Sequence, residues 1–225
     1  MTRTPVIFSL FCILISAVFS AYAWINLPDL AEYPIHWNAQ GQADGFGSRT
    51  MVGLNLLIFP LMTIFMAGLF YALPKIEPLR QNLEDSRRAY HTVWMLTVGF
   101  MVLVGALIAF AYTSPDGAMI GASPRIVVAS ISLLFIGIGN VLSKVRQNFM
   151  LGIRTPWTLS SELSWEKTHR LGARAFVLAG LVSIISALLM PQIAFVVMTV
   201  SIIAVVLFSL IYSYVIWKSD PDKRR

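Results

Sequence analysis

Six apolar runs of about 18 to 25 residues, almost free of charge, alternate with short polar segments along the chain. They are Val6–Trp24, Met51–Leu73, Tyr90–Thr113, Arg125–Ser143, Ala173–Met190 and Ile193–Trp217. About 20 apolar residues in a helix cross a hydrocarbon core of about 30 Å with every backbone group bonded internally. The pattern therefore predicts an all-α integral membrane protein with six transmembrane helices. Pro60 is expected to kink the second helix, because proline removes one backbone hydrogen bond. Ala175, Ala179, Ser183 and Ala187 recur every four positions on the fifth, a small-residue face that lets a neighbouring backbone approach.

The polar segments predict local structure of their own. In the first loop, residues 25–50, Pro34 biases Tyr33-Pro34-Ile35-His36-Trp37-Asn38 toward an extended course. Gln40-Gly41 and Asp44-Gly45-Phe46-Gly47 read as successive turns, and the whole as a short hairpin against the membrane surface. Pro115-Asp116-Gly117 opens another turn, in a loop ending near Pro124. The longest polar stretch, residues 143–174, holds two Trp, six Lys or Arg and one of the three His. Solvated linkers favour small, flexible residues, so this stretch is expected to be folded. After Pro156, Ser160 reads as a helix N-cap, Glu166 and Arg170 as an i,i+4 pair, and Gly172 as a hinge into the fifth helix.

Composition agrees with the pattern. Hydrophobic residues make up 57% of the chain and charged residues 12%, about half the charged fraction of a soluble domain. The net charge of +6 would suit nucleic acid in a soluble protein. Here its distribution sets topology instead. With the N-terminus inside, 15 of the 17 Lys and Arg fall in cytoplasmic segments, leaving Arg49 and Arg125 outside. That asymmetry predicts cytoplasmic N- and C-termini and no direct contact with nucleic acid. Ala21-Tyr22-Ala23 resembles a signal-peptidase site, but the first apolar run exceeds a usual signal core, so a retained helix is expected. Chain order gives an N-terminal two-helix unit, residues 1–89, and a four-helix unit, residues 90–225. The lone cysteine, Cys12, offers neither an internal disulfide nor a cysteine metal site.

Candidate chemistry is sparse. No Asp, Glu, His or Arg sits in the middle of a span, where proton relays and ion pathways place them. Asn55 and Asn140 are expected to make interhelical hydrogen bonds. His36 with Asp44, and His169 with Glu162 and Glu166, are ligand-type groups, but no HExxH or similar spacing is present. With His36 outside and His169 inside, hydrocarbon separates them. No serine lies in a nucleophile-elbow pattern. The expectation is a protein without enzymatic activity, cofactor or metal. Arg154, Trp157, Trp165, Thr168, His169 and Arg170 are candidates for one basic, aromatic cytoplasmic patch suited to an anionic lipid head, a peptide or a regulatory protein, the alternative being a helix that lies at the interface with its Trp as anchors.

Two sets of residues carry a resemblance. Gly139-Asn140, Asn148, Gly152-Ile153-Arg154-Thr155-Pro156-Trp157-Thr158-Leu159, Trp165 and Thr168-His169-Arg170 resemble the signature of the SdpI-like bacterial immunity family. Leu27-Pro28, Pro34-Ile35-His36-Trp37-Asn38, Gly41 and Asp44-Gly45 resemble a domain of unknown function that often precedes it. Together they cover nearly the whole chain. The resemblance implies a bacterial plasma-membrane protein that protects against a secreted, membrane-active toxin peptide. It also implies signalling by holding a cytoplasmic transcriptional repressor. The alternative is a small transporter, or a protein of lipid and envelope homeostasis.

Overall fold

A computed structural model describes residues 3–38, 42–113 and 124–223. Its long helices are α1 (Arg3–Ile25), α2 (Arg49–Ile76), α4 (Arg87–Thr113), α5 (Pro124–Leu142), α7 (Glu162–Leu189) and α8 (Ala194–Ser219). These six are long and apolar enough to cross a membrane. Two short helices, α3 (Arg80–Asp85) and α6 (Pro156–Ser160), lie in the loops, and β1 (Tyr33–Trp37) pairs antiparallel with β2 (Ala43–Gly47). The Gln40-Gly41 and Pro115-Asp116-Gly117 turns fall outside the described residues.

The bundle is packed inside out relative to a soluble domain. Along α1 the buried positions are Pro5, Ser9, Cys12, Ser16, Ser20 and Ala23, while Ile7, Leu10, Phe11 and Leu14 are exposed. Lipid tails solvate the large side chains as well as a protein core would, so the interior favours small residues and interhelical hydrogen bonds. Trp94 Nε1 of α4 donates to Ser9 Oγ at 2.9 Å, and Ser20 Oγ donates to the Leu56 carbonyl of α2 at 2.7 Å. Helices α1, α2 and α4 pack mutually, α7 packs on α5 and α8, and α4 joins the two groups along α5. The division at residue 89 is thus one of chain order, and α4 lies with the helices that precede it. Close crossings need glycine: a Cβ on Gly180 of α7 would stand 2.9 Å from the Ser132 carbonyl of α5.

The loops collect at two ends. Trp37 of β1 packs on Tyr112 near the end of α4, which places the hairpin at one end. Residues 77–86, 144–161 and 220 meet at the other, through Asn82–Gln147, Ser86–Arg146 and Ser161–Asp220 hydrogen bonds.

Four local expectations change. Asp44-Gly45-Phe46-Gly47 is strand, because it pairs with Tyr33–Trp37 across an irregular register. The fifth helix begins at Glu162 and runs unbroken to Leu189, capped by Ser161 rather than Ser160. Gly172 lies inside it and is no hinge; a Cβ there would come within 2.5 Å of Ile153 Cδ1, so the glycine admits the motif loop against the helix. Among the described residues no ion pair joins Glu166 to Arg170.

Candidate functional site

The 144–161 segment is held by hydrogen bonds that its own side chains make to its backbone. Asn148 is fully buried. Its Oδ1 accepts from the N–H groups of Met150 at 2.8 Å and Leu151 at 2.7 Å, while Nδ2 donates to the carbonyls of Arg146 and Leu151 at 2.8 and 3.1 Å. One amide thus uses its full capacity to hold a tight loop. Arg154 is exposed, and its guanidinium donates back to the Phe149 carbonyl across that loop.

Gly152 has φ of 121°, a conformation that side-chain-bearing residues rarely adopt. A Cβ there would stand 2.3 Å from His169 Nε2. The glycine lets the loop pass directly over the His169 ring, which stacks on Trp165 with centroids 3.9 Å apart. The Ile153 N–H donates to His169 Nε2 at 2.9 Å, and His169 Nδ1 meets the Trp165 carbonyl at 2.8 Å. Only the neutral ring with its proton on Nδ1 satisfies both bonds. Trp165 Nε1 donates to the Val145 carbonyl at 2.7 Å. These buried side chains of α7 therefore serve as pegs on which the loop hangs.

Thr155 and Pro156 begin α6. Thr155 Oγ1 accepts from the Thr158 N–H at 3.1 Å, and Thr158 Oγ1 accepts from the Thr155 N–H at 2.9 Å. This reciprocal cap satisfies two otherwise orphaned donors, with Pro156 at a position that needs none. Thr155 Oγ1 also lies 3.0 Å from Ser213 Oγ of α8, and Trp157 meets Tyr214 edge-on at 5.2 Å. The Ser161 hydroxyl donates to Asp220 Oδ2 at 2.5 Å, which holds that carboxyl below the usual carboxylate range, with help from the Asp222 N–H.

The predicted patch is therefore divided. Trp165, Thr168 and His169 lie inside the structure, Trp157 is half-buried against α8, and Arg154 and Arg170 face outward. Asn140 is exposed on α5 beside Arg174 of α7, rather than bonded between helices. Asn55 does bond between helices, its Nδ2 donating to Tyr112 Oη at 3.1 Å. Sequence reasoning missed Glu77, a buried carboxylate just after α2. It accepts from the N–H groups of Leu79 and Phe149, at 2.8 and 3.0 Å, and so ties α2 to the motif loop.

At the other end, His36 Nδ1 and Asp44 Oδ1 are 2.6 Å apart across the hairpin, and both side chains are exposed. Gly45 sits opposite His36, where a Cβ would stand 3.0 Å from His36 Cβ, and Pro34 pairs with Phe46. Asn38 Oδ1 accepts from the Gln42 N–H at 2.9 Å as the hairpin reverses. Trp37 turns inward toward Tyr112. Gly41 lies outside the described residues.

These two constructions coincide with two matches to known families. The domain of unknown function DUF1648 matches residues 11–64, and the SdpI/YfhL protein family matches residues 144–213. The chain is also similar to "Immunity protein SdpI" of Bacillus subtilis (strain 168), with 25% identity over 218 residues, covering 97% of this chain and 98% of that protein. No solved structure matches. These likenesses and the six membrane-length apolar helices together support a multi-pass cell-membrane protein.

Proposed function

We propose that this protein is a non-enzymatic membrane immunity protein that protects a bacterium against a secreted, membrane-active toxin peptide. The observation that carries the reading is similarity to the immunity protein SdpI along nearly the whole of both chains, including both folded loops. The hairpin end faces outward and meets the peptide, and both termini are cytoplasmic. That orientation rests on the 15 Lys and Arg gathered at the opposite end and in the termini. The same cytoplasmic end offers Arg154 and Arg170, exposed and carried on a rigid block, to a transcriptional repressor.

Binding rather than catalysis is supported by His169, whose two ring nitrogens are both used in holding the loop. The test is survival of a sensitive bacterium expressing the protein, against a panel of secreted membrane-active peptides. Wild type should protect. Arg154→Ala should lose protection or signalling while accumulating in the membrane at the wild-type level. Protection and signalling undiminished in Arg154→Ala would remove Arg154 from the working surface, and no protection by wild type would sink the immunity reading.

A further inference from the structure

A groove of about 430 Å³ runs along the outer face of the α5–α7 crossing, at the end that carries the motif loop. Its upper wall holds Asn140, Ser143 and Arg174, and its lower wall Val177, Leu178 and Leu181. Gly139 forms the floor where α5 and α7 pack closely, since a Cβ there would stand 2.9 Å from the Ala173 carbonyl and 2.9 Å from Val177 Cγ2. We propose that this groove binds one anionic phospholipid, its phosphate held by Arg174 and Asn140 and an acyl chain lying along Leu178 and Leu181.

Depth supports this occupant. Helix α7 has 28 residues, about 42 Å of helix, against a hydrocarbon core of about 30 Å. Counting about 20 residues back from Leu189 puts the membrane boundary near Arg170, with Arg174 one turn inside it. Arg174 is exposed on the lipid-facing side, and no protein carboxylate pairs with it among the described ion pairs. A guanidinium at that depth reaches toward the headgroup layer, where a phosphate offers a bidentate, charge-assisted partner. Exposed Asn140 adds an amide one groove-width away, while Leu178 and Leu181 are exposed to lipid. The polar-above-apolar order matches a phospholipid. It does not match a soluble anion, which has no use for the leucines. Asn140 belongs to the motif, yet it holds no part of the loop, and this site gives it a role.

The test is native mass spectrometry of the full chain released from detergent micelles doped with phosphatidylglycerol or phosphatidylethanolamine. Wild type should retain one phosphatidylglycerol in preference to phosphatidylethanolamine. Arg174→Gln should weaken retention roughly tenfold, as loss of a charge-assisted bidentate contact implies. Asn140→Ala should weaken it less, and Arg174→Lys should restore part of it. Arg125→Gln, exposed at the opposite end of α5, should leave it unchanged. Equal retention of the two lipids, or an unaltered Arg174→Gln protein, would overturn the proposal. Displacement of the lipid by millimolar glycerol phosphate would assign the site to a soluble anion instead.

Discussion

The two polar constructions, at opposite ends of the bundle, are built on opposite plans. The hairpin is a backbone ladder that leaves its motif side chains His36 and Asp44 in solvent. The 144–161 block has almost no ladder, and its motif side chains Asn148, Thr155, Thr158 and His169 turn inward to bind backbone. A motif can thus occupy a loop because it presents chemistry or because it makes the loop. At the hairpin the first role is open to His36 and Asp44. In the block, most motif residues have the second role, and Arg154 and Arg170 are left to present charge outward.

That contrast predicts a graded series of substitutions. Gly152→Ala should do most damage, since it combines a strained backbone with a Cβ driven into His169 Nε2. A loss of about 3 kcal/mol or more is expected. Thermal unfolding in detergent, read by size-exclusion fluorescence, should show little folded protein, and a near-normal melting profile would break the contrast. Asn148→Ala should follow at about 2 to 3 kcal/mol, because it strands buried N–H and carbonyl groups. Asn148→Asp should cost at least as much in the same assay, because it sets a buried carboxylate oxygen against the Arg146 and Leu151 carbonyls that Nδ2 now serves.

His36→Ala and Asp44→Asn should each change stability by less than about 1 kcal/mol, as exposed pairs do. Their effect should appear in toxin sensitivity; if protection survives both, the hairpin pair is not the contact. The smallest effect expected concerns Asp220. Its carboxyl is held below the usual range, so its share of stability is present above about pH 4 and is lost as pH falls through the folded-state value. The stability gap between wild type and Asp220→Asn should therefore close in acid, and a gap independent of pH would mean that ionisation of Asp220 is not coupled to folding.

Much of this arrangement was legible in the residues. Apolar runs gave the six spans, because lipid imposes a length that no soluble fold requires. The small-residue face of the fifth helix was legible too, since Ala179, Ser183 and Ala187 lie buried on α7. The strand at Ala43–Gly47 was obscured by its glycines, which say turn locally until a partner strand overrides them. Gly172 looked like a hinge for the same reason, although its use is to admit Ile153. The buried ties of Glu77, Asn82 and Ser86 to the motif loop join residues 60 to 72 positions apart, and no local period announces such a pairing. Exposure of Asn140 was equally hidden, since a lone amide near the end of a span fits inward and outward faces alike.

The ties of the motif block also fix when it can be finished. Its partners come from three stretches that the ribosome makes at separate times: residues 77–86, 144–174 and 213–220. Until Ser213 and Asp220 have emerged, Thr155 and Ser161 lack these partners, however well the earlier helices are inserted. The stretch from Ser213 to Asp220 is the last of the three to be made, and the motif block closes only on it.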